Sequence, residues 1–91
     1  MIRVTGTLHC PDAEARAAVL AHLAAHVALS RAEPGCLHFA IEPTADPLVF
    51  AVDESYRDAD AFAAHKARSA ASAWAAATRA VRRALDVREA T

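Results

Sequence analysis

A glutamate and a histidine eleven positions apart, Glu54 and His65, are the residues of this chain best suited to chemistry. Glu54 stands in a run of period two. Leu48, Phe50, Val52, Glu54 and Tyr56 fall on one face, and Val49, Ala51, Asp53, Ser55 and Arg57 on the other. After it the period changes: Asp58 and Asp60 suit a helix start, and Ala61, Phe62, His65 and Ser69 recur at helical spacing. A strand therefore ends in a carboxylate among apolar neighbours, and a helix carries an imidazole back over the sheet. A histidine in an apolar pocket can act as general base, and a glutamate beside it holds one tautomer and stabilises the imidazolium. The same pair, buried and hydrogen-bonded, would also tie helix to sheet with no chemistry at all.

Five further residues are candidates for contact with a small molecule: His26, His38, Phe39, Tyr56 and Trp74. Tyr56 and Trp74 suit stacking on a flat ligand or a place in the core, with a polar tip needing a partner when buried. His38 alternates with Leu37 and Phe39, so with those two on the helices it points toward a dimer-side cavity or an interface. His22 and His26 have the i, i+4 spacing of two metal ligands. No glutamate follows His22 as in a zincin and no nearby Cys or Asp completes a set, so a solvated pair is expected and no metal. His26 stays a candidate because it precedes the turn at Ser30 to Cys36. Cys10 and Cys36 read as free thiols, since no cluster of positive charge is visible to activate them.

The chain has 91 residues and a net charge of −1. That length fits one domain, residues 1–91, with marginal stability of its own. No basic run exceeds two residues, so nucleic-acid binding has little electrostatic support. The apolar-rich stretches are alanine-dominated and interrupted by Ser, Thr and Arg, so no membrane span is expected. The start, Met1-Ile-Arg-Val-Thr-Gly6, has no signal-peptide layout, and a cytoplasmic location is expected. Asn and Gln are absent, so no side-chain amide is available as an oxyanion donor.

The elements that must position these groups follow in order. Ile2 to His9 alternates as a strand, and Asp12 caps a helix running to about Ser30. Its buried stripe is Val19, Leu20, Leu23, Val27 and Ser30. Arg31-Ala-Glu-Pro-Gly35 is a stop and turn. Cys36 to Glu42 is a second strand, with Leu37, Phe39 and Ile41 on one face. Pro43 to Pro47 is a hairpin loop, followed by the strand and helix of Glu54 and His65. Beyond Lys66 alanines favour helix, with no proline or glycine to break it, and a bend near Ser69 is left open. Ala84 to Arg88 is a short last strand. The order βαββαβ is that of an α+β, ferredoxin-like fold, an antiparallel sheet with both helices on one face. The other face is expected to be apolar enough to need a symmetric partner, the two copies enclosing a hollow reached by Glu54 and His65.

Ser30-Arg-Ala-Glu-Pro-Gly-Cys-Leu-His-Phe39 resembles the S-R-x-E-x-G-C-x-x-F/Y segment of the antibiotic biosynthesis monooxygenase domain family. Glu54-Ser-Tyr-Arg-Asp-Ala-Asp-Ala-Phe-Ala-Ala-His65 is similar to that family's second signature, a strand-end glutamate followed eleven positions on by a helix histidine. The order of elements agrees over nearly the whole chain. The resemblance implies a dimeric α/β barrel of two ferredoxin-like subunits. It also implies a cofactor-independent monooxygenase that oxidises a small phenolic, quinol or polyketide-type aromatic with O2, without metal or flavin. Other members of the superfamily degrade haem or isomerise a small phosphorylated metabolite, and a fold does not by itself select among chemistries. Two departures stand out. The Thr-Pro-His-aromatic segment that follows the helix histidine in many members is Ala67-Arg-Ser-Ala-Ala-Ser72 here, and no asparagine is available to a pocket. An isomerase would need an arginine such as Arg31 or Arg57 in the cavity. A barrel that binds a small molecule without changing it is the remaining alternative. For the expected homodimer, sedimentation at micromolar concentration should give twice the chain mass; a monomer would remove it.

Overall fold

The computed structural model describes residues 1–90. The elements are β1 (Ile2–His9), α1 (Ala13–Arg31), β2 (Cys36–Pro43), β3 (Val49–Tyr56), α2 (Ala59–Ala70), α3 (Ala73–Ala77) and β4 (Arg82–Glu89). The four strands form one antiparallel sheet in the order β2-β3-β1-β4, the ferredoxin-like arrangement expected from the sequence. Alternation within the strands sets one face toward the helices. Val4 and Leu8 of β1, Phe39 and Ile41 of β2, and Phe50, Val52 and Tyr56 of β3 are buried there against Ala15 and Val19 of α1 and Trp74 of α3. Among the described residues no helix is long and apolar enough to cross a membrane.

Local chemistry fixes the helix starts. The Asp12 carboxylate accepts from the Ala15 amide at 2.8 Å, and the Asp58 carboxylate accepts from the Ala61 amide at 2.8 Å. The alanine-rich segment after Lys66 is not one helix. Ser72 interrupts it: its hydroxyl donates to the Ser69 carbonyl at 2.6 Å and accepts from the Ala75 amide at 3.2 Å, so it ends one helix and caps the next. The short α3 that results turns Trp74 inward.

Three packing expectations are corrected. Leu37 is exposed, although it shares parity with Phe39, because a register shift between Cys36 and His38 takes it out of the alternation. Leu20 is exposed and His26 is buried in its place on the inward stripe of α1. The sheet face turned away from the helices is mostly polar, carrying Arg3, Thr5, Thr7, His9, Asp53 and Ser55 beside Val49 and Ala51 on its two central strands. The hollow is therefore not on that face. It lies between sheet and helices within a single chain, and it opens beside β4, every residue of which is exposed.

Gly6 allows β4 to pair along the full length of β1. Its φ is +150°, and a Cβ there would lie 2.1 Å from the Ala84 carbonyl oxygen. Gly6→Ala should therefore lower the unfolding free energy by about 2–3 kcal/mol. Urea denaturation checks this, and an unchanged midpoint would mean that β4 yields without penalty.

Candidate functional site

His65 stands on α2 with a carboxylate near each ring nitrogen. Its Nδ1 lies 2.7 Å from Glu33 Oε1 and its Nε2 lies 3.7 Å from Glu54 Oε1. The first distance is a hydrogen bond and the second is not. Because an ionised carboxylate only accepts, Glu33 places the proton of the neutral ring on Nδ1 and leaves the lone pair on Nε2. Glu33 is held in turn. Arg68, one turn beyond His65, donates from Nε to Glu33 Oε2 at 3.0 Å and from a terminal nitrogen to Ser30 Oγ at 2.9 Å. Ser30 and Glu33 come from the end of α1 and the turn after it, so this network clamps that turn onto α2. Gly35 makes the approach possible, since a Cβ at Gly35 would lie 2.2 Å from the Cβ of Ala61.

Glu54 is buried and lines the cavity beside His65. Burial pushes its carboxyl pKa up, against the hydrogen bond from Tyr56 and the charge of His65, which lower it. Tyr56 is wholly buried and donates its hydroxyl to Glu54 Oε1. It is positioned to hold the carboxyl, not to stack on a ligand. Phe39 is equally buried, edge-on to His26 with ring centroids 5.4 Å apart, and forms the wall behind both imidazoles.

His26 and Trp74 are stacked, with ring centroids 4.5 Å apart and planes within 3°. Both line the cavity, whose volume is about 440 Å³. The His26 Nδ1 is buried without a hydrogen-bond partner. Burial lowers the pKa of this imidazole from 6.5 to about 4, and the charges of His65, Arg68 and Arg83 act in the same direction. Val4, Leu8, Ile41, Val52, Leu85 and Val87 form the apolar walls of the cavity.

Glu54, His65, His26 and Trp74 thus meet at one hollow, with Tyr56 and Phe39 directly behind. His38 does not join them. It projects from the opposite sheet face, largely exposed, with Nε2 4.0 Å from Asp53, because strand alternation sends it away from Phe39. Neither Arg31 nor Arg57 lines the cavity: Arg31 donates to the Phe39 carbonyl at 3.0 Å and Arg57 pairs with Asp58 at the surface. The cations at the cavity are instead Lys66, Arg79 and Arg83. Cys10 and Cys36 are unpaired, and burial raises both thiol pKa values away from the reactive thiolate. Among the described residues no three of His, Cys, Asp and Glu converge as metal ligands.

The sequence-level assignment missed Glu33 and Arg68. Glu33 was legible in the Ser30 to Phe39 segment but reads there as part of a turn. Arg68 lies three residues after His65 on the same helix face.

A family model described as antibiotic biosynthesis monooxygenase matches residues 1–77. The chain belongs to that family. The matched residues include every member of the Glu33–His65–Arg68 network and both Glu54 and Trp74, but not β4. Among solved structures, a candidate antibiotic biosynthesis monooxygenase from Deinococcus radiodurans is 26% identical with a TM-score of 0.77. The match covers 100% of this chain and 93% of that one. A second structure described as an antibiotic biosynthesis monooxygenase is 25% identical with a TM-score of 0.80, covering 100% and 99%. SnoaB of Streptomyces nogalater, described as a cofactor-independent oxygenase, is 18% identical with a TM-score of 0.80, covering 99% and 92%; at that identity the likeness is one of fold. No curated protein sequence matches the chain.

The lowered pKa of His26 has a consequence for stability. Between pH 6.5 and about 4 the unfolded imidazole binds a proton that the folded one refuses. The His26 contribution is therefore fully present above pH 6.5 and is lost as the pH falls toward 4. His26→Phe, which keeps an aromatic ring against Trp74, should lose less stability than the parent between pH 7 and pH 4.5. Denaturation midpoints at the two pH values check this, and equal losses would show that another group sets the acid limit.

Proposed function

We propose that this member of the antibiotic biosynthesis monooxygenase family is a cofactor-independent monooxygenase acting on a small phenolic, quinol or polycyclic aromatic substrate. The observation that carries the reading is the His65 ring: Glu33 occupies Nδ1, and the lone pair on Nε2 is left beside an apolar cavity of about 440 Å³. In this proposal His65 Nε2 takes the acidic proton of the substrate. Glu54, 3.7 Å away, provides the counter-charge as the imidazolium forms. The resulting anion passes one electron to O2, and recombination places a peroxide on carbon. The imidazolium returns its proton, and loss of water carries off the second oxygen with the remaining hydrogen of that carbon, leaving the quinone. The apolar walls and the Phe39–Tyr56 backing keep water from quenching the anion. His26, stacked on Trp74, presents a neutral imidazole to the substrate ring.

The homodimer belongs to the same proposal. Leu85 and Val87 are exposed at the open side of the cavity, where a second copy would complete the wall.

The test is O2 consumption with a panel of quinols and anthrone-type phenols, without added metal or flavin. His65→Ala should lower turnover about 10²–10⁴-fold. Glu33→Gln should lower it less, because the base remains while its tautomer is no longer fixed. Turnover undiminished in His65→Ala would overturn the assignment. Ligand binding with no product by mass spectrometry would favour a barrel that only binds.

A further inference from the structure

Three cations stand round the mouth of the cavity with no acid to match them. Arg3, Arg57, Arg68 and Arg88 each pair with a carboxylate. Among the described residues six cations have no acidic partner, and three of the six, Lys66, Arg79 and Arg83, line the hollow that holds Glu54 and His65. Among the described residues Glu54 is the one acid on its walls, and it faces His65.

The three come from separate elements. Lys66 follows His65 on α2, with its ammonium 4.5 Å from the Phe62 ring centre. Arg79 lies between α3 and β4. Arg83 is on β4 opposite Leu8, which puts it on the inner face of the sheet. Arg83 is also fastened. One terminal nitrogen donates to the Val81 carbonyl at 3.1 Å, and the other to Thr78 Oγ1 at 2.8 Å. Thr78 is itself buried and bonded to the Trp74 carbonyl at 2.7 Å. A guanidinium held by neutral oxygens has no carboxylate neutralising it and loses little freedom on binding. The cavity is thus graded, from exposed cations at the rim, through apolar walls, to imidazoles on the floor. A cleft bearing one sign of charge on low-dielectric walls concentrates ligands of the opposite sign.

We propose that the ligand of this cavity is an aromatic acid: its ring lies on the apolar walls toward His65, and an anionic substituent, a carboxylate or a phosphate, is held at the rim by Arg79, Arg83 and Lys66. The inference rests on the oxygenase reading only for which end of the ligand reacts. Binding is therefore measured apart from turnover, by titration calorimetry of the whole chain with 1-naphthol, 1-hydroxy-2-naphthoate and 1-naphthyl phosphate.

At least one of the two anions should bind roughly tenfold more tightly than 1-naphthol at low salt, with the advantage shrinking as salt is raised. The tighter of the two names the substituent. Arg79→Met and Lys66→Met, which remove no hydrogen bond within the protein, should together weaken binding of the preferred anion far more than binding of 1-naphthol, abolishing most of the preference. Arg83→Met should do the same if it folds. Arg88→Met, at the surface, should keep the preference in full. His65→Ala should also keep it while losing turnover, which separates this inference from the proposed reaction. Equal affinity for 1-naphthol and both anions, or a preference that survives Lys66→Met with Arg79→Met, would overturn it.

Discussion

The structure depends on one partly buried polar contact, the carboxylate of Glu33 set between His65 and Arg68. Taking a lone carboxylate partly out of water carries a desolvation penalty. Two charge-assisted donors on one face of α2 offset that penalty, and Ser30 takes a remaining donor of Arg68. The contact has two effects. It pins the turn between α1 and β2 against α2. It also decides which nitrogen of His65 carries the proton. Fold and candidate chemistry are coupled here, because loosening the turn would release the tautomer.

The cavity follows from the way the helix layer is cut. α1 covers β2, while α2 ends at Ala70 and α3 restarts at Ala73, so the layer stops short of β4. The inner residues of β4, Arg83, Leu85 and Val87, then face the hollow from its open side. A continuous helix through Ser72 would have sent Trp74 in a different direction. The capping serine is thus a small residue with a large consequence, because it aims the only tryptophan of the chain onto His26.

Much of this was legible in the sequence. The four strands were visible because period-two alternation is strong in β1, β2 and β3, and the order of elements then leaves few topologies. The convergence of Glu54, His65, His26 and Trp74 on one place was partly visible, since strand and helix periods put the first two on facing surfaces. What stayed hidden has identifiable causes. Leu37 follows the alternation on paper, but a shift in register after Cys36 breaks it in space. Glu33 lies in a segment whose proline and glycine dominate its reading, and its partner is 32 positions away. The rim arginines sit in the weakest stretch of alternation, where the face of Arg83 is set only by pairing with Leu8. The apolar open face expected of the sheet was a misassignment of sides: the large apolar residues Val4, Leu8, Phe50 and Val52 of the two central strands point to the helices.

His65 and His26 show how environment divides work between identical side chains. Their rings are 6.1 Å apart and both are buried. His65 has a carboxylate beside each nitrogen, so a proton arriving on its ring meets compensating charge. His26 has an indole face on one side, the edge of Phe39 on another, and an Nδ1 with no partner. A proton on His26 would be desolvated and repelled by His65, Arg68 and Arg83 together. Of the two, only His65 has acids beside its ring nitrogens, while His26 is kept as a flat, neutral surface. The division follows from which helix each residue occupies: α2 brings its imidazole to the acids of β3 and the α1–β2 turn, and α1 brings its imidazole to Trp74.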